Sequence, residues 1–295
     1  MPTAPTPETG GALAAELLLP WYDAASRVLP WRSADATPWA VLVSEVMLQQ
    51  TPVNRVLPAY ARWLDRWPTP AACATATPAD VVREWGKLGY PRRALRLRDA
   101  AIACVERHGG EIPSDPALLQ GLPGVGAYTA AAVAAFAFGA RIAVVDTNVK
   151  RVTVRAIAGL DDPRPVAAAD RRAVDAALPQ QDAARWSVAV MELGALVCRA
   201  GVPRCAVCPV AERCAWLAAG APAWDGPGKK PQGYAGTDRQ VRGRILDLLR
   251  DAHEPVPADV IARAWDIDDQ RDRALASLVT DGLAVQAGSG YALPA

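Results

Sequence analysis

Leu122-Pro123-Gly124-Val125-Gly126 joins two apolar helical segments, one ending near Leu118-Leu119 and the next beginning near Tyr128. The turn between them therefore contains two glycines. Because glycine has no side chain, the backbone N–H groups of Gly124, Gly126 and the new helix start can point at an anion, which the helix dipole also favours. The pattern predicts a phosphate-binding turn between two helices. A simple helix cap is the alternative interpretation.

Basic residues lie on both sides of this turn in the sequence. They are Arg92, Arg93, Arg96, Arg98, Lys150, Arg151 and Arg155. The spacing of the first three concentrates charge on one face of a predicted helix. Such a face is either solvated surface or a contact for DNA phosphates, and the spacing alone leaves both interpretations open.

The composition sets the class of protein. The chain has 295 residues, 51% of them hydrophobic, and its 32 Lys and Arg balance 31 Asp and Glu. This length suffices for about two globular domains, and the composition excludes a disordered or fibrous protein. The longest strongly apolar run, 129–138, is far shorter than the roughly 20 residues of a membrane span. Residues 1–10 lack the features of a signal peptide and predict a disordered tail, so we expect a cytoplasmic protein.

Residues 11–220 predict a helical body, because apolar residues recur at helical spacing between turns marked by Pro and Gly. The clearest predicted helices are 39–50, 60–67, 78–88, 93–108 and 148–158. Strand signals are scarce before 283–293. The fold class is therefore mainly α.

A smaller domain is predicted at 237–295, after a linker at 221–236 that is rich in Pro and Gly. Three helices are expected at 238–251, 257–265 and 268–281, followed by a hairpin at 283–293. Three helices and a β-ribbon resemble a winged helix, which often contacts DNA. A structural or protein-binding appendage is the alternative.

Four of the six cysteines, Cys198, Cys205, Cys208 and Cys214, follow the pattern C-x6-C-x2-C-x5-C. In a cytosolic protein clustered thiols indicate a metal site, because the compartment keeps them reduced. Structural zinc sites usually use two Cys-x-x-Cys arms, and here only one is present. A 4Fe-4S cluster tolerates this asymmetry, and the spacing together with the family resemblance described below favours it, with zinc and the absence of any metal as alternatives.

Glu45 lies on the predicted helix 39–50, and its helical neighbours Val41, Leu42, Leu48 and Gln49 are mostly apolar. Such surroundings are expected to raise the pKa of the carboxyl group, which would then keep a proton to donate near neutral pH. An exposed glutamate on a polar helix face is the common alternative.

Several motifs occur together in a fixed order. They are Leu-Pro-Trp-Arg at 29–32, Val-Ser-Glu-Val-Met-Leu-Gln-Gln-Thr at 43–51, Gly-Lys-Leu-Gly-Tyr at 86–90, the glycine turn at 122–126, Val-Asp-Thr-Asn-Val-Lys-Arg-Val at 145–152 and the four cysteines. Over residues 11–230 the chain resembles the adenine DNA glycosylases of the MutY type, within the helix-hairpin-helix glycosylase superfamily. The turn at 122–126 corresponds to the hairpin of that fold.

The resemblance implies a reaction on a flipped-out nucleotide. Glu45 would protonate adenine at N7, and Asp146 would stabilise the positive charge that develops on the sugar or capture it transiently. Asn148 belongs to the same motif and is placed in the catalytic set. Asp146 also precedes the predicted helix 148–158, so it is expected to serve as an N-cap as well.

The resemblance also assigns contacts with DNA. Gln50 and Thr51 would meet the base opposite the flipped adenine, and Tyr90 would stack beside it as a wedge. Other assigned contacts are Trp31 and Arg32 in the adenine pocket, and Gly124, Gly126 and Lys150 on the DNA backbone. Core packing is the alternative role for the two aromatic residues.

Tyr128 distinguishes two types of glycosylase. The endonuclease III type carries at this position a lysine that attacks the sugar and leads to strand cleavage. A tyrosine cannot form that Schiff base. The resemblance therefore implies a monofunctional enzyme that releases adenine opposite 8-oxoguanine or guanine and leaves an abasic site, with Lys150 as a source of weak side cleavage.

The chain departs from the family in two places. Residues 237–295 are too few for the Nudix-like C-terminal domain that helps typical members to recognise 8-oxoguanine, and Pro91 stands where relatives often have a second tyrosine. Two alternative functions are an endonuclease III-like enzyme for oxidised pyrimidines and a non-enzymatic iron-sulfur regulator. The expected partner is duplex DNA in the nucleoid, bound by a monomer, with no membrane association.

Overall fold

The computed structural model describes residues 11–226 and 233–295, most of them in helices. The predicted tail 1–10 and part of the predicted linker, 227–232, lie outside the described residues. The α-helices are α1 (Ala15–Ala25), α2 (Pro38–Leu48), α3 (Val53–Arg66), α4 (Pro70–Ala74), α5 (Pro78–Trp85), α6 (Arg92–His108), α7 (Pro116–Gln120), α8 (Ala127–Phe138), α9 (Thr147–Thr153), α10 (Ala168–Ala177), α11 (Ala183–Leu196), α12 (Ala215–Ala218), α13 (Asp238–Asp251), α14 (Ala258–Ala262) and α15 (Asp268–Thr280). The strands are β1 (Val256–Pro257), β2 (Val285–Ala287) and β3 (Gly290–Ala292). The predicted mainly helical fold class is confirmed.

Two compact units divide the described residues. Unit 1 contains 11–36 and 127–226, and unit 2 contains 37–126 and 233–295. The linear domain boundaries expected from the sequence stay predictions. Within the described ranges, none of the helices combines the length and apolarity that crossing a bilayer requires.

Helix starts follow capping chemistry. The Thr37 side chain accepts a hydrogen bond from the N–H of Ala40, and Pro38 occupies the first turn of α2. Before α5, Thr77 and Asp80 form a capping box in which each side chain binds the backbone N–H of the other. Gly109 ends α6 in the left-handed conformation. Local sequence therefore determines these helix boundaries.

The core of unit 1 forms between α1, α9 and α11. Trp186 of α11 is fully buried, and its indole N–H donates to the carbonyl oxygen of Leu13 at 2.8 Å. Val149 of α9 and Leu193 of α11 belong to the same fully buried cluster. This packing fixes α9, and with it the start of α9 at Asp146.

Unit 2 combines α2–α7 with the C-terminal helices and sheet. Trp63 meets Trp67 and Trp85 edge-on, at ring-centroid distances of 4.7 and 5.8 Å. The antiparallel sheet has the order β1-β3-β2, with Gln286 opposite Tyr291 in the β2–β3 hairpin. The three predicted helices and the hairpin of the winged-helix-like part are present, and β1 is an additional strand.

Several predicted helix boundaries were wrong. The helix expected at 78–88 ends at Trp85, because Gly86 terminates it with a positive φ. The helix expected at 60–67 begins at Val53, because polar residues in its first turns and Pro58 inside it conceal the apolar period. The helix expected at 148–158 is α-helical only to Thr153 and continues as a π-helical turn over Val154–Ala158. The helix expected at 257–265 is limited to Ala258–Ala262, since Val256 and Pro257 pair with β3 instead.

The two glycines of the turn 122–126 differ in what requires them. Gly124 has φ +78°, and a Cβ there would lie 2.7 Å from the Cβ of Arg96 on α6. The close approach of this turn to α6 therefore depends on glycine. At Gly126 the backbone φ is not left-handed, and an added Cβ would meet nothing within 4 Å.

We predict that Gly124→Ala lowers the free energy of unfolding by roughly 2 kcal/mol, through backbone strain and contact with Arg96. Gly126→Ala, the matched control, is expected to stay within about 0.5 kcal/mol of the wild type. Chemical denaturation followed by circular dichroism measures both variants. Equal stability of the two variants would contradict the packing described for Gly124.

Candidate functional site

Glu45 lies in the middle of α2, on a helix whose residues from Trp39 to Met47 are all buried. The side chain is itself buried, with 7% of the residue exposed. The structure therefore buries Glu45, and the apolar environment expected for its carboxyl group stays a prediction. A carboxyl group in such surroundings pays a desolvation cost when it ionises.

Arg93 of α6 connects two segments of unit 2, the end of α2 and the turn that precedes α6. Its Nη1 donates to three carbonyl oxygens at the end of α2. Its Nη2 donates to the Thr51 hydroxyl, just after α2, and to the carbonyl oxygen of Gly89, in the turn before α6. The acceptors are Val46 O (2.8 Å), Met47 O (3.1 Å), Gln49 O (2.7 Å), Thr51 Oγ1 (3.0 Å) and Gly89 O (3.0 Å). Burial lowers the pKa of Arg93 to about 10. Arg93 is thus neither a solvated residue nor a surface contact, the two roles that its spacing suggested.

Gln50 and Tyr90 follow the two segments that Arg93 ties together. Both have left-handed backbone conformations, with φ 56° for Gln50 and 47° for Tyr90. Such conformations cost about 1 kcal/mol or more outside glycine and persist where neighbouring contacts enforce them. Gln50 is exposed, and Tyr90 is 45% exposed. Thr51 is buried, so its hydroxyl serves this local network.

Trp31 and Arg32 lie in unit 1, in a short 3-10 helix over Pro30–Arg32. Trp31 is buried. Arg32 donates from Nη2 to Glu192 Oε2 at 2.8 Å, and Arg27 donates to both oxygens of the same carboxylate, at 2.6 and 2.8 Å. Nη1 of Arg32 is buried and has no hydrogen-bond partner among the described residues. An unsatisfied buried donor costs about 1–3 kcal/mol, so it is a position where a ligand acceptor would be stabilised.

Glu192 of α11 is fully buried. Burial alone would raise the pKa of this carboxyl group, but hydrogen bonds from Arg27 and Arg32 outweigh it and lower the pKa to about 2. Glu192 therefore stays ionised at neutral pH and fixes both guanidinium groups.

Asp146 caps α9. Its Oδ1 accepts the N–H of Val149 at 2.7 Å, and its Oδ2 accepts Nδ2 of Asn148 at 2.8 Å. Burial raises the pKa of Asp146 above the usual aspartate value, while these two hydrogen bonds oppose the rise. The predicted N-cap role is present, and Asn148 is a direct partner of the carboxylate.

Arg151 connects Asn148 to the cysteine segment. Its Nη2 donates to Asn148 Oδ1 and to Gly194 O, each at 2.8 Å, and its Nε donates to Cys198 O at 2.7 Å. Gly194 is required here, because a Cβ would lie 2.7 Å from the Cβ of Asn148. The start of α9, α11 and the first cysteine therefore form one packed arrangement.

All four clustered cysteines line one pocket in unit 1. Arg155, on the π-helical turn, is buried at the pocket wall and donates from Nη1 to Cys198 Sγ at 3.5 Å. Its guanidinium also lies 4.7 Å from the centroid of the Trp216 ring. Within 11–226 and 233–295, no group of three or more His, Cys, Asp or Glu is arranged to hold a metal ion.

Two further residues that were predicted to belong to the site, Lys150 and Tyr128, contact other residues of unit 1. Lys150 is buried, and its ammonium donates to Asp162 Oδ2 at 3.2 Å and to Arg164 O at 2.7 Å, with Asp170 at 3.8 Å. The predicted DNA contact of Lys150 would require these bonds to open. Tyr128 is partly buried and packs against the apolar cluster of α8.

Sequence reasoning did not identify Glu192 or the internal roles of Arg93 and Arg151. Arginines at helical spacing signalled charge, but three of the four carbonyl oxygens that bind Arg93 lie more than 40 residues away along the chain. An acidic residue inside the apolar run Val188–Leu196 was the one available sign for Glu192.

We predict that Glu192→Gln lowers the free energy of unfolding by roughly 3–5 kcal/mol at pH 7, because it leaves two guanidinium groups without their buried carboxylate. Since the folded pKa is depressed, this stabilisation is present above the ordinary glutamate pKa and is lost as the pH falls toward about 2. The decrease in the free energy of unfolding on acidification should therefore be smaller in Glu192→Gln than in the wild type. Denaturation curves between pH 7 and acid measure it, with exposed Glu106→Gln as the control; parallel behaviour of the two variants would refute the ion-pair assignment.

Comparisons with known proteins agree with this architecture. Residues 43–172 match the family model described as HhH-GPD superfamily base excision DNA repair protein. An adenine DNA glycosylase of Mycobacterium tuberculosis (strain ATCC 25618 / H37Rv) is 53% identical over 281 residues, covering 94% of this chain and 92% of the relative. That of Mycolicibacterium smegmatis is 51% identical over 275 residues, covering 92% and 93%.

Among solved structures, a thermostable thymine-DNA glycosylase aligns with a TM-score of 0.64 and 24% identity, covering 69% of this chain and 94% of that structure. This likeness concerns the fold. The identity to the two mycobacterial relatives extends over nearly the whole of each chain and confirms the resemblance inferred from the motifs. The chain belongs to the adenine DNA glycosylase family, within the HhH-GPD superfamily of base excision DNA repair proteins.

Proposed function

We propose that this chain hydrolyses the N-glycosidic bond of adenine mispaired with 8-oxoguanine or guanine in duplex DNA and leaves an abasic site. The observation that carries the proposal is the pair of acidic residues in a member of this family, Glu45 buried on apolar α2 and Asp146 held at the start of α9. Two carboxyl groups with different protonation states are what glycosidic bond cleavage requires.

Glu45 is the proton donor in this mechanism. Adenine must leave the base stack to be reached, and its glycosidic bond breaks readily only when the departing base is neutralised by a proton at N7. The apolar surroundings of Glu45 on α2 favour the protonated carboxyl group that can supply it.

Asp146 stabilises the positive charge that develops on the sugar, or captures it transiently before water completes hydrolysis. This role needs the anionic carboxylate. The N–H of Val149 and the amide of Asn148 both bind that form and so offset the effect of burial. Asn148 thereby also restricts the orientation of the carboxylate.

The adenine pocket contains Trp31 and Arg32. The buried Nη1 of Arg32 has no acceptor among the described residues, and a ring nitrogen of adenine is an acceptor of suitable size. Glu192 fixes the Arg32 guanidinium through its other nitrogen, Nη2. A preorganised donor of this kind favours a purine with acceptors on its edge over an apolar ring.

The partner is double-stranded DNA, bound by a monomer. Gly126 leaves open space beside the turn 122–126, where a DNA phosphate can approach the backbone N–H groups. Gln50 and Tyr90 would meet the base opposite the flipped adenine. Because Tyr128 replaces a lysine nucleophile, strand cleavage is not part of the reaction.

The four cysteines would hold a 4Fe-4S cluster. They line one pocket, and their spacing contains a single Cys-x-x-Cys arm, which suits a 4Fe-4S cluster better than one zinc ion. Arg155 would offset the negative charge of the four thiolates. When bound, the cluster would supply rigidity to a segment whose two 3-10 turns, Cys205–Val207 and Ala211–Arg213, contain no buried residue.

A base-release assay tests the function. Duplexes with adenine opposite 8-oxoguanine, adenine opposite guanine, or thymine glycol are incubated with the protein, and strand breaks are measured with and without alkali. Breaks that appear only after alkali, on the adenine duplexes, are expected. Release confined to thymine glycol would instead indicate an endonuclease III-like enzyme, and binding without any release would indicate a regulator.

We further predict that Glu45→Gln and Asp146→Asn abolish adenine release, because each keeps the side-chain shape and removes the acid chemistry. Affinity for an uncleaved duplex should change little. Glu106→Gln, on the exposed side of α6, serves as the control with normal activity. A loss of affinity equal to the loss of activity would mean that the two acids are structural.

For the metal site, the purified protein is expected to be brown, with a broad absorbance at about 400 nm. Cys208→Ser should lose this band, whereas Cys73→Ser, which removes a buried thiol of unit 2 outside the pocket, should keep it. A colourless wild-type protein with stoichiometric zinc would overturn the assignment.

A further inference from the structure

The C-terminal part of the chain, 237–295, packs on α5 and α6 of unit 2. Val82 of α5 shares one fully buried cluster with Val241, Ile245 and Leu249 of α13. An apolar contact of this kind holds α13 in a defined place, since separating it would expose several aliphatic side chains to water.

Polar contacts fix the orientation of the same interface. Arg83 donates to the carbonyl oxygen of Ala252, and Arg250 donates to that of Val82, each at 3.2 Å. Two ion pairs continue toward the turn 86–90: Lys87 with Asp247 at 3.6 Å and Arg92 with Asp281 at 3.2 Å. The C-terminal part therefore contacts the chain both before Tyr90, at Lys87, and after it, at Arg92.

This docking places Arg239, in the first turn of α13, against the Tyr90 ring. The guanidinium carbon lies 5.6 Å from the ring centroid, and that of Arg93 lies 5.5 Å from the same centroid. Both distances fall within the range of cation–π contacts. Arg93 comes from the helix that follows Tyr90, whereas Arg239 comes from a different part of the chain.

Tyr90 is a side chain that needs such support. Its backbone is left-handed and the residue is 45% exposed, so this side chain is partly accessible on a strained turn. A stacking residue works best when its ring orientation is fixed before the base arrives, because the entropy cost of ordering it is then already met.

We propose that the C-terminal part belongs to the site for the base opposite the flipped adenine, and that Arg239 is a positioning residue that holds the Tyr90 ring for stacking beside that purine. This inference rests on the proposed function. It gives residues 237–295 a role in the recognition of the opposite strand through one cation–π contact.

The test compares Arg239→Ala with Arg244→Ala. Arg244 lies on the same helix, and its guanidinium carbon is 4.8 Å from the centroid of the Trp265 ring, so the control removes an equivalent contact away from Tyr90. Binding is measured on a duplex with 2′-fluoroadenosine, which resists cleavage, opposite 8-oxoguanine. Arg239→Ala should weaken binding about two- to fivefold, the value of an exposed cation–π contact, and Arg244→Ala should not.

Two readouts separate positioning from a purely structural role. In a Tyr90→Leu background, Arg239→Ala should cause no further loss, because the ring that it supports is absent. A 2-aminopurine beside the 8-oxoguanine should show a smaller fluorescence rise with Arg239→Ala at saturating protein, since less unstacking occurs, and Arg239→Lys should restore it in part. Thermal unfolding of each variant checks that the fold is kept.

The inference is overturned if Arg239→Ala binds like the wild type, or if its effect persists undiminished without the Tyr90 ring, as a phosphate contact would. Adenine release by the wild-type protein is followed in parallel. Failure of that release would refute the proposed function, whereas normal release with an unaffected Arg239→Ala variant would refute this inference alone.

Discussion

The guanidinium of Arg93 is the interaction on which the candidate opposite-base site depends. Burying a charged group is costly unless hydrogen bonds compensate, and the two terminal nitrogens of Arg93 bind three carbonyl oxygens at the end of α2, one hydroxyl and one carbonyl of the turn before α6. The same bonds hold the backbone where Gln50 and Tyr90 are left-handed. Charge burial and local strain are therefore two aspects of one arrangement, in which strong hydrogen bonds offset unfavourable backbone conformations.

In unit 1 the buried charged group that hydrogen bonds compensate is an anion. Glu192 is a buried anion surrounded by Arg27 and Arg32, and it leaves one nitrogen of Arg32 available. Asp146 is held by a backbone N–H and an amide, and both hydrogen bonds favour its charged form against the effect of burial. Networks of this kind restrict side chains to a single orientation, as cleavage of a glycosidic bond requires.

Much of the fold could be predicted from the sequence, because helices such as α5 and α6 carry their signals locally: caps, turn glycines and apolar periodicity. The family and its glycine turn were recognisable for the same reason. The predictions that failed concerned residues whose contacts are with distant parts of the chain. The burial of Arg93, Lys150 and Arg155 could not be inferred, since helical spacing reports which residues share a face and not what covers that face. Strand β1 was missed because two residues next to a proline carry almost no strand signal of their own.

The π-helical turn over Val154–Ala158 determines where the Arg155 guanidinium lies relative to the Cys198 sulfur. A π turn accommodates one residue more than an α turn, so side chains beyond Thr153 no longer follow the rows of α9. In a regular helix each residue advances by about 100° around the axis, and removing one residue would swing the guanidinium of Arg155 away from the Cys198 sulfur by about that angle. The position of a cation beside the Cys198 sulfur thus depends on the number of residues in a helical irregularity as much as on the arginine itself.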